Sequence, residues 1–126
     1  LHRQATTFHR ELSEIYQIKT IITTNWDTYF EDYCGAVPIT IPEDISLFDK
    51  SSRHVLKIHG SINNLSSIVA TKLDYDACYE RLQNGVIGAQ LKNILATKTV
   101  VFIGFSFGDE DFSQILKYLK NGFRRI

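Results

Sequence analysis

The residues of this chain that are best suited to chemistry stand where predicted strands end. Asn25 follows one β-branched run, and His59 closes a second. A carboxamide can hold a water molecule in place, and an imidazole with an unperturbed pKa of about 6.5 can accept a proton near neutrality. Gly104 and Ser106 follow a third run, and a small-residue turn before a helix lets backbone N–H groups approach phosphate or ribose oxygens. These residues predict a ligand site at the strand ends.

Strands that alternate with helices must position these residues. The sequence patterns predict strands at 20–24, 54–59 and 99–103, with shorter candidates at 39–41 and 67–70. Helical periodicity predicts helices at 1–16, 26–33, 72–84 and 87–95, and one that follows Asp109. The third helix begins with the capping box Thr71-Lys72-Leu73-Asp74 and ends at Asn84-Gly85. The alternation indicates an α/β fold with a mainly parallel sheet, in which ligands gather at the carboxyl ends of the strands.

Each candidate side chain also has a purely structural explanation. Asn is among the best helix caps, so Asn25 could cap the short helix predicted to follow it. Asp27 would then lie in the first turn, where an acid complements the helix dipole. His59 could be a core histidine that is bonded to a neighbouring carbonyl. The positions of Asn25 and His59 favour the functional interpretation, because an amide and an imidazole at the ends of separate strands can converge on one ligand.

The run Gly104-Phe105-Ser106-Phe107-Gly108 also matches the nucleophile elbow of serine hydrolases, which is G-x-S-x-G between a strand and a helix. Such α/β-hydrolases place the catalytic histidine after the serine in the chain. All four histidines of this sequence precede Ser106, so the required order of the triad is not met. The turn therefore favours contact with phosphate or ribose over a nucleophilic role.

Charge and cysteine content exclude several classes of protein. Lys plus Arg is 14 and Asp plus Glu is 14, so the chain has no basic field for nucleic acid or an anionic membrane surface. Two cysteines and four histidines at unrelated spacings predict no metal site. The cysteine usage suits a reducing compartment, so we expect a cytoplasmic protein. No apolar run approaches the roughly 20 residues that cross a bilayer.

Length predicts a single domain over residues 1–126. Methionine is absent, and Leu1 falls inside a predicted helix that has no capping residue before it. We therefore expect a partial domain from a larger protein.

Three segments together carry a family resemblance. They are Ile21–Asp27, Lys57–Ser61 and Phe102–Asp109, in that order along the chain. They resemble the sirtuin-like domain of bacterial proteins, many of which are NAD-consuming effectors of anti-phage defence. The resemblance implies a three-layer Rossmann-like domain that binds NAD. It also implies an incomplete one, because the family's first strand and glycine-rich phosphate loop have no counterpart in this sequence.

The resemblance implies roles for individual residues. Asn25 resembles the catalytic asparagine, which orients water and the nicotinamide ribose, and Asp27 resembles the acid near the carboxamide. His59 resembles the catalytic histidine, the general base at the ribose hydroxyl or water. Gly104 and Ser106 resemble the glycine and serine along the ribose and phosphate path. The other members of the predicted NAD-binding set are Thr24, Gly60 and Phe105.

Two departures from the family pattern bear on the reaction. Thr24 stands where deacetylating sirtuins carry a glutamine, and their zinc module with two cysteine pairs is missing. Both departures favour hydrolysis of NAD over protein deacylation. We therefore expect a metal-free, nicotinamide-releasing NAD⁺ glycohydrolase that is inactive as an isolated fragment and acts as a homo-oligomer with other domains of a parent protein. A non-catalytic sensor of NAD or ADP-ribose and an NAD-dependent protein deacylase are the alternative functions.

Overall fold

The computed structural model describes residues 7–49 and 52–104, together with residues 113, 114, 117 and 120. The helices are α1 (Thr7–Glu14), α2 (Tyr29–Cys34), α3 (Lys72–Asn84) and α4 (Val86–Thr97), and the strands are β1 (Thr20–Thr23), β2 (Val37–Ile39) and β3 (His54–Lys57). Two short 3-10 helices, Pro42–Leu47 and Leu65–Ser67, lie in the connections. The chain divides into two compact units, Leu1–Glu80 and Arg81–Ile126.

The strands form a parallel sheet in the order β1-β3-β2, with β3 in the middle. Thr20 of β1 and Val37 of β2 both pair with His54 of β3. All four residues of β3 are buried, as is typical of a central strand in a parallel sheet. The strands predicted at 20–24 and 54–59 are confirmed with slightly earlier ends, and so is the α/β class with a parallel, incomplete Rossmann-like sheet.

One hydrophobic cluster of the first unit is shared by α1, α2 and the sheet. Its buried members are Leu12, Ile21, Cys34, Ala36 and Val55, with Ile18 and Phe30 packed against them. α1 lies within the predicted helix 1–16, and its buried Leu12 is on the predicted apolar face. Burial raises the pKa of the Cys34 thiol despite the nearby Arg53 guanidinium. The thiol therefore stays protonated at neutral pH and donates to the His9 carbonyl over 3.3 Å.

Arg53 joins both helices to the amino edge of the sheet. Its guanidinium donates to the carbonyls of Ser13 (3.3 Å), Ile15 (2.8 Å) and Ile18 (2.8 Å), at and beyond the end of α1. It also donates over 3.2 Å to the carbonyl of Cys34, where α2 ends. The last carbonyls of a helix lack intrahelical partners and carry partial negative charge, so a cation satisfies and stabilises them. One rigid fork of donors thus links two helix ends to β3.

The helices that follow the sheet match their predicted signals. Asp74 Oδ2 accepts from the backbone amide of Thr71 over 2.9 Å, and Thr71 Oγ1 accepts from that of Asp74 over 3.2 Å. This reciprocal pair confirms the predicted capping box. The predicted break at Asn84-Gly85 is confirmed as well, because α3 ends at Asn84 and α4 begins at Val86.

Two of the predicted strands are not strands in the part of the chain that the structure describes. Residues 99–103 have no regular secondary structure, and Val101 keeps 76% of its surface exposed. Residues 67–70 hold the end of a 3-10 helix, after which Val69 donates a backbone hydrogen bond to the His59 carbonyl over 3.0 Å. β-branched composition favours a strand only where a neighbour supplies hydrogen bonds and side-chain contacts. The short strand predicted at 39–41 is found at Val37–Ile39.

The remaining predicted elements lie largely outside the described residues. The turn at 105–108 is one of them. Of the helix predicted after Asp109, residues 113, 114, 117 and 120 are described, and all four are helical. None of the described helices has both the length and the apolar character of a membrane-crossing segment.

Replacing Arg53 with lysine should lower the free energy of unfolding by about 1–3 kcal/mol, because one ammonium group cannot reach the four carbonyls that the guanidinium binds. Urea unfolding followed by the fluorescence of Trp26, the single tryptophan of the chain, measures the loss. Arg10→Lys, at an exposed position of α1, is the matched control and should change stability by less than about 0.5 kcal/mol. Equal effects of the two substitutions would contradict the bridging role of Arg53.

Candidate functional site

The carboxyl edge of the sheet carries the two loops that the sequence singled out. β1 and β3 are parallel neighbours in which Thr23 pairs with Lys57. Asn25 and His59 each follow one member of that pair by the same short step along the chain, so their loops leave the sheet at the same edge. The amide of Ile58 continues the ladder by donating to the Thr23 carbonyl over 3.1 Å. The topology thus brings these two loops together.

Asn25 is exposed in the loop between β1 and α2. Its backbone amide donates to Thr23 Oγ1 over 3.1 Å, which fixes the start of the loop. α2 begins at Tyr29, and the residue before it in the capping position is Thr28. The alternative explanation of Asn25 as a helix cap is therefore wrong, because the loop runs on for several residues before the helix starts. Its carboxamide lies at the surface beside half-buried Thr24.

Asp27 prepares the entry into α2. Its Oδ1 accepts from the Tyr29 backbone amide over 3.2 Å, an Asx turn that leads into the helix. The next residue, Thr28, is buried, and its hydroxyl donates to Asp32 Oδ2 over 2.9 Å. Asp27 thus lies just before the helix and not in its first turn. The contact with a nicotinamide carboxamide that the resemblance implies for it stays a prediction.

A buried lysine connects the two loops. Lys57, at the end of the central strand, is only 2% exposed. Its Nζ donates to the carbonyls of Trp26 (3.3 Å) and Asp27 in the first loop and to Ser61 Oγ (3.0 Å) in the second. It also forms an ion pair with Glu31 Oε2 of α2 over 3.1 Å. A charge this far from water is stable only when paired and hydrogen-bonded, and these partners meet both conditions.

His59 is buried at the start of the second loop, with 3% of its surface exposed. Its ring meets the Tyr75 ring of α3 edge to face, with centroids 5.2 Å apart and planes at 90°. The aromatic contact fixes the orientation of the imidazole. Burial against Tyr75 is also what a core histidine would show, so the structural explanation of His59 stays open. Its catalytic role is a prediction.

Gly60 makes the sharp turn after His59. Its φ is +89°, and a Cβ at this position would overlap the carbonyl of Ser67. The Ser61 amide donates to Ser67 Oγ over 3.0 Å, so the loop folds back onto the turn. Packing therefore explains why this position is glycine, and the NAD contact expected of Gly60 stays a prediction.

The third predicted turn belongs to the second unit. Gly104 has a φ of +68° and is exposed, and a Cβ there would meet no heavy atom within 4 Å. Its backbone conformation alone thus favours glycine. Phe105 and Ser106 lie outside the described residues. Within the residues that are described, no three His, Cys, Asp or Glu side chains group closely enough to hold a metal ion.

Sequence reasoning assigned no role to Lys57 or Glu31. A signal was available, because a lysine inside an otherwise apolar strand, Val55-Leu56-Lys57-Ile58, is seldom fully buried unless it is paired. The partner itself could not be found in this way. Glu31 lies on a different element and reaches Lys57 only through the packing of α2.

Gly60→Ala should destabilise the protein by roughly 2–5 kcal/mol, since a left-handed φ and overlap with Ser67 both oppose a Cβ. Gly35→Ala is the matched control. Gly35 also has a positive φ, +62°, but a Cβ there meets nothing within 4 Å, so its loss should be about 1 kcal/mol. Urea unfolding followed by circular dichroism compares them, and similar losses would argue against a close backbone approach at Gly60.

Lys57→Met alone should cost about 3–5 kcal/mol of stability, because it leaves the Glu31 carboxylate buried without its cation. Lys57→Met combined with Glu31→Leu removes both charges. The remaining cost, about 1–3 kcal/mol, comes from carbonyls that lose their donor. Chemical denaturation of both variants measures the difference, and a double variant no more stable than the single one would show that the pair is not coupled.

Comparisons of this sequence with a family model and with known proteins point to the same family. The family model of the SIR2-like domain matches residues 19–125. A protein named NAD(+) hydrolase ThsA, from Cytobacillus dafuensis, is 36% identical over 118 residues, which is 89% of this chain and 23% of that protein. A Bacillus cereus protein of the same name is 30% identical over 123 residues, 93% of this chain and 25% of that protein. Defense-associated sirtuin 2 of Bacillus subtilis is 31% identical over 111 residues, 79% of this chain and 10% of that protein.

This chain spans between 10% and 25% of the length of those three relatives. The family match covers β1, β3 and the loops with Asn25 and His59. The resemblance inferred from three short segments is therefore confirmed: the chain belongs to the SIR2-like domain family.

Proposed function

We propose that this chain is part of an NAD⁺-hydrolysing domain in a bacterial defence protein, and that it releases nicotinamide. Relatives over most of this chain are named NAD(+) hydrolase and defence-associated sirtuin. The observation that carries the proposal is the register of β1 and β3, in which the partners Thr23 and Lys57 each precede a proposed catalytic residue, Asn25 or His59. In α/β folds, ligands bind in the crevice beyond the carboxyl ends of the parallel strands.

The proposed reaction is a substitution at C1′ of the nicotinamide ribose. The bond from C1′ to the nicotinamide nitrogen breaks, and nicotinamide leaves as a neutral molecule with the bonding electron pair. Water adds to C1′ and loses a proton. Since the leaving group needs no proton, positioning of the water is the main task, and such positioning can supply several kcal/mol of barrier lowering.

Asn25 and His59 divide this task in the proposal. The exposed carboxamide of Asn25 holds the water and the ribose in line with the breaking bond. The imidazole of His59, oriented by Tyr75, accepts the proton from the water or a ribose hydroxyl. Asp27 lies by the nicotinamide carboxamide in this arrangement. The remaining proposed contacts, along the ribose and phosphates, are Thr24, Gly60, Gly104, Phe105 and Ser106.

The active form in this proposal is the complete parent protein. The glycine-rich phosphate loop that the resemblance implies has no counterpart in this sequence. The chain covers at most 25% of the length of the three relatives described above. We propose that further domains and a homo-oligomeric assembly in the cytoplasm complete the NAD site. Neither nucleic acid nor a membrane surface is a proposed partner, since the charges balance.

The test measures nicotinamide release from NAD⁺ by the full-length protein that carries this chain. His59→Ala should lower kcat roughly 10²- to 10⁴-fold, the usual contribution of a general base. Asn25→Ala should raise the activation free energy by several kcal/mol, because the water and ribose are no longer positioned, and should therefore lower kcat with a smaller effect on KM. Undiminished turnover in both variants would remove these residues from the mechanism.

A matched control for His59 lies at the other end of the strand that precedes it. His54 is 1% exposed at the opposite, amino end of β3, where its Nε2 is 2.9 Å from the Leu47 carbonyl oxygen. His54→Ala should lower stability and leave kcat of the folded protein unchanged. Saturable NAD binding without product would instead support the sensor function, and nicotinamide release that requires an acyl-lysine peptide would support deacylation.

A further inference from the structure

The cluster formed by Lys57 lies directly behind the loop that carries the proposed catalytic asparagine. The carbonyls of Trp26 and Asp27, consecutive in the chain, both point at the same ammonium group. Trp26 immediately follows Asn25, so the direction in which the Asn25 side chain leaves the backbone depends on this contact. On the other side, the Asn25 amide is held by Thr23 Oγ1. Hydrogen bonds thus restrain the backbone on both sides of the asparagine.

The same ammonium also restrains the second loop. It binds Ser61 Oγ over 3.0 Å, and the Gly60 amide donates to the Lys57 carbonyl over 3.2 Å. The two loops are tied to each other by a backbone hydrogen bond of 3.0 Å from Ile62 to the Trp26 carbonyl. One buried charge therefore reaches the segments that follow both strands.

Stability alone does not account for a charge pair at this place. Removing a buried ion pair and filling its volume with apolar side chains is often neutral or stabilising, because desolvation offsets much of the attraction between the charges. Lys57 is fully enclosed, and Glu31 is 14% exposed at the side chain, so both meet that cost. What an apolar pair cannot supply is a donor for several carbonyls at once, and those carbonyls shape the Asn25 loop.

We propose that Lys57, paired with Glu31, is a positioning residue that sets the orientation of Asn25 relative to His59 at the reaction centre. This inference rests on the proposed function for its activity readout. It assigns Lys57 no contact with substrate. Its effect on the reaction passes through the Trp26 and Asp27 carbonyls to the neighbouring asparagine.

The test is a double-mutant cycle in the full-length protein. Lys57→Met with Glu31→Leu removes the donor without leaving a lone buried charge. This pair of substitutions should lower kcat for nicotinamide release by roughly 100-fold, as expected for a displaced catalytic group, with little change in KM. In a protein that already carries Asn25→Ala, the same pair should cause almost no further loss, because groups that act as one unit are not additive. Losses that multiply would overturn the proposal.

A second measurement reports on the loop without using activity. Hydrogen exchange of the Ile62 amide, which donates to the Trp26 carbonyl, should accelerate in the Lys57→Met/Glu31→Leu variant. The Val37 amide, which donates to the Arg53 carbonyl over 2.8 Å at the amino edge, is the internal control and should keep its rate. Equal acceleration at both amides, or none at Ile62, would mean that Lys57 does not act locally on the loop, and either result would overturn the proposal.

The matched cation control is Arg53→Lys, which alters the cation at the amino edge of the sheet. It should lower stability and leave kcat of the folded protein unchanged. If the unmodified protein releases no nicotinamide, the proposed function fails. The exchange rates of Ile62 and Val37 then still decide whether Lys57 holds the Asn25 loop.

Discussion

The buried ammonium of Lys57 is the interaction on which the carboxyl edge of this sheet depends. It lies on the central strand, where every face is covered, and it is surrounded by a carboxylate, a hydroxyl and backbone carbonyls from two loops. In water, carbonyls of a loop bind solvent and leave the backbone free to change direction. Bound to an enclosed charge, they keep one direction, because release would leave both donor and acceptors unsatisfied away from water.

A second cation binds backbone carbonyls near the amino end of the same strand. Arg53, just before β3, binds a terminal carbonyl of α1 and one of α2, while Lys57 at the end of β3 binds the loop that leads into α2. α2 is a short helix of 6 residues and has little stability of its own. Its two ends are therefore held by Arg53, just before the central strand, and by Lys57, at the end of that strand. The apolar cluster between these edges contributes hydrophobic stabilisation, and the two cations fix the orientation of the backbone at both ends of α2.

Sequence patterns predict correctly those features that depend only on residues close together in the chain. The capping box at Thr71 and Asp74 needs only a few consecutive residues, and it forms as predicted. The β-branched run at 20–24 and the apolar run at 54–59 became strands because each found a parallel neighbour. The run at 99–103 is also rich in strand-forming residues, but it forms no strand among the described residues and is exposed. The alternative explanation of Asn25 as a helix cap is wrong because α2 begins only at Tyr29, and a helix start within a few residues is not fixed by local sequence.

The sequence by itself determined the α/β class, the main strands and helices, and the family, since all of these follow from periodicity and short motifs. It also predicts Asn25 and His59 as catalytic candidates, because polar residues at strand ends are visible along the chain, and their roles stay predictions. Tertiary structure decided which distant residues meet: Glu31 with Lys57, Arg53 with two helix ends, and Gly60 with Ser67. No local sequence pattern encodes the partners in these contacts, because Glu31 and Lys57, like Arg53 and the helix ends, lie on different elements, and Gly60 meets Ser67 only where the loop folds back. The parallel pairing of β1 and β3 brings the Asn25 and His59 loops to one edge, where Lys57 contacts both.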